Sequence, residues 1–133
     1  MKKILNLRFY IGGYDAVNYT IDYQEGIVKY KKYQMAYTGE GERKEVSTEE
    51  ADILAKQLTD LGVQDWNRSY ESPVLDGTQW ELDINFNDHT KKVIFGSNAY
   101  PNPDKDDFVE YSRDFERLVE ILANFIGDPS FFR

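Results

Sequence analysis

DGTQWELDINFNDHTKKVIFGSNAYP, residues 76 to 101, is the stretch whose reading decides the fold. Asp76-Gly77 is a turn pair, because glycine supplies positive φ and aspartate bonds its own backbone. Trp80, Leu82, Ile84 and Phe86 then alternate with Gln79, Glu81, Asp83, Asn85 and Asn87. That period of two marks a strand with one buried and one wet face. Asn87 to Thr90 is a polar hairpin loop, Val93-Ile94-Phe95 is the returning strand, and Gly96-Ser97-Asn98 opens the bend that ends at Tyr100-Pro101.

Working outward, Leu5, Leu7, Phe9 and Ile11 alternate with Ile4, Asn6, Arg8 and Tyr10 and predict a first strand with the leucines inward. Gly12-Gly13-Tyr14-Asp15 turns the chain into a second strand carrying Val17, Tyr19, Ile21 and Tyr23 on one face. Gln24-Glu25-Gly26 turns it again into a third, expected over Ile27 to Tyr37. Loops this short join antiparallel neighbours. Neither face of the third strand is purely apolar, which predicts a bulge or partial exposure. Thr38 to Lys44 reads as a charged, glycine-rich loop and lacks the spacing of a phosphate cradle.

Ser47 followed by Glu50 is a capping-box signature. Ile53, Leu54, Leu58 and Leu61 supply the expected buried stripe of the helix behind it, and Gly62 supplies its stop. Val63 to Pro73 reads as irregular, anchored by Trp66 and Tyr70. Phe108, Tyr111, Phe115, Leu118, Val119, Leu122 and Ile126 follow helical spacing up to Gly127 and Pro129. One helix from about Asp104 is the reading, with Ser112 as an alternative start. Ser130-Phe131-Phe132-Arg133 is an apolar tail expected to dock. The sum is a single α+β domain over residues 1–133. It has two layers: a mainly antiparallel sheet of about five strands, ordered βββα-ββα, with two main helices on one face.

The run DGTQWELDINF, then GSNAYP, then an amphipathic helix beginning near Phe115, resembles a family of small uncharacterised bacterial proteins. The similarity extends roughly from Leu61 to Phe125 and includes Asp65-Trp66. In the family pattern the helix follows the proline almost at once, whereas here Asn102 to Asp114 intervenes. The resemblance implies a bacterial source and a fold. The family carries no assigned reaction, so no catalytic residue transfers.

Composition narrows the function classes. Net charge is −8, from 24 acidic and 16 basic residues, so a phosphate backbone repels the surface on average and nucleic acid is not an expected partner. The absence of cysteine excludes disulfides, thiolate metal sites and a cysteine nucleophile, and suits the cytoplasm. Met1-Lys2-Lys3 imitates the start of a signal peptide, but Asn6, Arg8 and Gly12-Gly13 break the apolar run behind it. No stretch reaches the roughly 20 apolar residues of a membrane span.

Candidate chemistry is thin. His89, the only histidine, lies in a hairpin loop without a positioned nucleophile. Asn102, Asp104 and Asp106 open like a calcium loop, yet Asp107 stands where glycine belongs and Arg113 where the bidentate glutamate belongs. A helix start with an acidic first turn accounts for the same residues. Glu81, Asp83 and Asp88 could serve a carboxylate-dependent hydrolase, but alternating acids are what any half-wet strand shows. No enzyme, metal or cofactor is therefore expected.

The 10 tyrosines exceed what a core of this size easily uses. Tyr30, Tyr33 and Tyr37, with Lys29, Lys31 and Lys32, are the candidate binding surface for a protein partner, as in an inhibitory or immunity-type module. If the third strand is an edge, the partner can also pair with its backbone.

Overall fold

The protein is seen in a computed structural model that describes residues 2–13, 16–34, 41–71, 77–101 and 112–133. The central hairpin is there: β6 spans Gln79–Phe86 and β7 spans Lys91–Ser97, in unbroken antiparallel register from Gln79↔Ser97 to Asn85↔Lys91. Trp80, Leu82, Ile84 and Phe86 are all buried, as the period of two requires. In the turn, His89 takes a left-handed backbone (φ 68°), and the Asp88 carboxylate accepts from the Thr90 backbone and hydroxyl. The single histidine thus serves the hairpin's geometry.

Before the hairpin come β1 (Ile4–Gly12), β2 (Asn18–Gln24), β3 (Ile27–Tyr33), β4 (Glu42–Glu45), helix α1 (Thr48–Leu61), a 3-10 turn (Val63–Asp65) and β5 (Ser69–Glu71). Helix α2 (Arg113–Phe125) follows it. The described strands form one mixed seven-stranded sheet, ordered β4-β3-β2-β1-β6-β7-β5. All neighbours are antiparallel except β5 and β7, which run parallel. The expectation of about five antiparallel strands therefore needs correction by two short strands. β4 falls in the predicted charged loop, and its four residues pair with Ile27 to Tyr30. β5 falls in the predicted irregular stretch, where Tyr70 pairs with Gly96.

The register also corrects the first strand. It slips between Ile4 and Asn6, so Ile4 turns inward with Leu7 and Leu5 is left half exposed. A bulge inserts one residue and reverses which side chain faces the core. β3, in contrast, pairs with β2 without any shift from Asn18↔Tyr33 to Gln24↔Ile27. Its mixed pattern is partial exposure, and β4 covers its Ile27–Tyr30 half, while Lys31 to Tyr33 pair with β2 alone among the described strands.

Both helices lie on one face of the sheet. Ser47 and Glu50 complete the capping box of α1, and Gly62 closes it at φ 83°. Leu54, Ala55 and Leu58 are buried, whereas Ile53, expected in that stripe, is exposed. α2 begins at the alternative start, its cap Ser112 accepting from Phe115 N–H at 3.2 Å. Phe108 and Tyr111, placed on that helix by spacing, lie outside the described residues. Phe115, Leu118, Ile121 and Leu122 of α2 are fully buried.

Trp80 is the hub where sheet and helix meet. Its ring centroid lies 4.8 Å from Phe115, and Tyr70 and Tyr100 stack near it at 6.2 and 6.4 Å. The indole Nε1 donates to the Ala99 carbonyl at 3.0 Å. Gly96, its cross-strand partner, leaves the space: a Cβ there would stand 1.9 Å from that nitrogen. Asn98 (φ 54°) braces the exit from the hairpin, its Oδ1 accepting from Thr78 N–H at 2.7 Å.

The apolar tail docks on the same face. Phe131 is buried edge-on to Tyr19 and Tyr30, and Phe132 packs against Phe9 and Tyr19. These contacts, with Tyr23 against Phe125, occupy much of the tyrosine surplus. No helix among the described residues is long and apolar enough to cross a membrane.

Candidate functional site

Alternation gives the sheet a second face, which no described helix covers. Pairing aligns its side chains into rows across the strands. One row runs Arg43, Lys29, Asp22, Arg8, Asp83 and Val93 from β4 to β7. The adjoining row runs Lys31, Thr20, Tyr10, Glu81 and Phe95. Directly opposed residues in such rows have Cβ atoms ~5 Å apart, so the charges form one connected surface.

Arg8, Asp22, Lys29, Lys31, Arg43 and Glu81 are exposed, and Asp83, Tyr10 and Tyr33 are half-buried. The ion pairs found among the described residues are Lys2–Asp88, Lys44–Glu50, Lys56–Asp60 and Arg117–Glu120, and none uses a charge of the open face. Among the shallow depressions on it, one of about 190 Å³ lies between Asp22, Lys29 and Arg43, and two are larger. One, of about 280 Å³, is lined by Arg8, Tyr10, Asp22, Glu81 and Asp83. The other, of about 390 Å³, lies over β3 and β4 between Lys29, Lys31 and Arg43.

Tyr10 and Tyr33 are the aromatic members. The Tyr10 hydroxyl donates to Asn18 Oδ1 at 2.6 Å. Burial, reinforced by the nearby Tyr33, pushes the Tyr10 hydroxyl above its ordinary pKa. Lys31 Nζ sits 5.2 Å from the centre of the Tyr33 ring.

The six residues singled out on the third strand do not share one face. Lys29, Lys31 and Tyr33 point to the open side. Tyr30 and Lys32 point to the helix side, where Tyr30 packs on Phe131 and Lys32 donates to the Phe131 carbonyl at 3.2 Å. Tyr37 lies outside the described residues, as do Asn102, Asp104 and Asp106 of the calcium-like spacing. Sequence reasoning missed Arg8, Asp22 and Arg43. Their signal is the polar complement of each buried row, which acquires meaning once β1 is known to lie between β2 and β6.

The carboxyls drawn below their ordinary range lie elsewhere. A hydrogen bond from Lys44, followed by the Ser47 backbone, lowers Glu50 at the α1 cap. Bonds from Thr90 lower Asp88 in the hairpin turn. Local capping and turn bonding explain both. Among the expected hydrolase carboxylates, Glu81 and Asp83 line the 280 Å³ depression with Asp22, while Asp88 is remote from it in the turn. At the bend that ends the hairpin, Tyr100 packs on Trp80 and Phe115.

No known protein family matches this chain, and no curated protein is found to be similar to it.

Proposed function

We propose that the chain is a non-enzymatic protein-binding module of the inhibitory or immunity type, bacterial and cytoplasmic, that engages its partner through the open sheet face. The observation that carries this reading is a rigid face bearing charges that no ion pair among the described residues engages. Lys29, Lys31, Arg8, Asp22 and the two carboxylates of β6 are held on strands with neighbours on both sides. Their backbone is already ordered, so a partner has only their side-chain rotamers to fix, and complementary charge then sets orientation and association rate. Tyr33 adds a stiff aromatic contact beside Lys31.

The competing reading, a carboxylate-dependent hydrolase, draws on Asp22, Glu81 and Asp83 lining one depression. Two-carboxylate chemistry places its groups on opposite sides of a substrate and excludes water around them. Glu81 and Asp83 instead project side by side from one strand, ~7 Å apart along it. A depression of 280 Å³ also falls below the usual ~300–1,000 Å³ of ligand sites.

The test is affinity capture. Immobilised wild-type protein, exposed to bacterial lysate, is expected to retain a specific protein identified by mass spectrometry. Lys31→Glu should abolish retention and Lys56→Ala, on α1, should preserve it, with both variants folded by circular dichroism. Equal retention by wild type and Lys31→Glu, or no retention at all, overturns the proposal.

A further inference from the structure

Six charges of the open face are antisymmetric about the line between β1 and β2. Across that line one row reads Lys29, Asp22, then Arg8, Asp83. The next reads Lys31, Thr20, then Tyr10, Glu81. A half-turn about an axis lying along this line, parallel to the strands, brings each position over its mirror in the row. Lys29 comes over Asp83, Asp22 over Arg8, and Lys31 over Glu81. Each of these six charges meets its opposite, Thr20 meets Tyr10, and Arg43, next in the first row, comes over Val93.

Self-complementarity of this kind is what a twofold interface requires, because residue i must meet j while j meets i. The six charges could instead have satisfied one another laterally within the sheet. No ion pair found among the described residues joins any of them. Sheets that stack face to face also keep their strands within about 30° of alignment, which an axis parallel to the strands permits. We propose that two copies of this chain associate open face to open face about that axis. Lys29, Asp22 and Lys31 of each copy pair with Asp83, Arg8 and Glu81 of the other. The inference rests on the reading of the open face as a protein-binding surface and names its partner. A different protein binding there must displace the second copy.

Charge reversal tests the pairing. Wild-type protein is expected to sediment as a dimer. Lys31→Glu sets carboxylate against carboxylate twice per dimer, and Glu81→Lys sets ammonium against ammonium twice. Each variant alone should raise the dimer dissociation constant by about 100-fold or more. An equimolar mixture should regain the dimer. In the mixed pair one of the two contacts joins the unchanged Lys31 to the unchanged Glu81, and the other joins the two reversed charges. Misfolded variants could not restore each other, so the mixture also controls for folding. A wild-type monomer across the concentration series, a dimer insensitive to either reversal, or a mixture that stays monomeric overturns the proposal. A wild-type monomer whose capture of another protein still depends on Lys31 removes the dimer and leaves the binding reading. A monomer that captures nothing removes both.

Discussion

Trp80→Ala is expected to cost about 3–5 kcal/mol in stability, the largest single loss in the molecule. Trp80 is fully buried, and four aromatic or backbone partners converge on it: Tyr70, Tyr100, Phe115 and the Ala99 carbonyl. Alanine removes the largest side chain of the core. The cavity cannot close easily, because Gly96 beneath the indole has no side chain to move in. A domain of this size holds roughly 5–15 kcal/mol in all, so the variant should lose a large part of it. Urea unfolding is the measurement, with the midpoint expected to fall while the slope stays constant. A loss under about 1 kcal/mol would mean that Trp80 is not the hub described. Trp80→Phe refines the result, since it keeps an aromatic surface and deletes only the bond to Ala99 and part of the volume.

Phe131→Ala should come second, at about 3 kcal/mol, the low end for a buried phenylalanine. Its ring is held edge-on by Tyr19 and Tyr30 and borders Phe132. Truncation uncovers the helix-side surface of β2 and β3, and the tail is free to move away, which softens the cost. Lys32, which bonds the Phe131 carbonyl, loses that partner. Thermal unfolding should show the midpoint lowered by roughly 10 °C. Tyr30 should become more accessible to chemical modification, with no change at Tyr33 on the opposite face. An unchanged midpoint would place the tail off the sheet and return Tyr30 to the list of exposed aromatics.

The hairpin was legible in the sequence because its signal is local: four apolar residues at a period of two and a polar turn. The capping box at Ser47 and Glu50 and the stop at Gly62 are local as well, and each stands where its residues place it, whereas α2 starts at Ser112, the alternative to the expected start near Asp104. β4 was hidden because an edge strand need not bury side chains, and Glu42-Arg43-Lys44-Glu45 is held by backbone pairing to β3. β5 was hidden for the same reason, its three residues pairing in parallel with a strand far along the chain. The bulge in β1 exchanged Ile4 for Leu5 in the core, and apolar character alone cannot tell the two apart. The candidate site was partly legible. Lys29, Lys31 and Tyr33 share the open face, whereas Tyr30 and Lys32, grouped with them from the sequence, alternate to the helix side. Arg8, Asp22 and the acids of β6 join them only through the pairing of β1 with both β2 and β6. That pairing sets Arg8 beside Asp83, too far along the chain for any local pattern to show.

We propose that the open face, and not the helix side, is where this protein meets another. Amine labelling read by mass spectrometry tests it most directly. In dilute protein Lys29 and Lys31 should react readily, whereas Lys44, held by Glu50 and the Phe125 carbonyl, should react slowly. On raising the protein concentration or adding a captured partner, Lys29 and Lys31 should become protected, and Lys56 on α1 should not change. Protection of Lys56 with Lys29 and Lys31 left fully reactive would contradict the account.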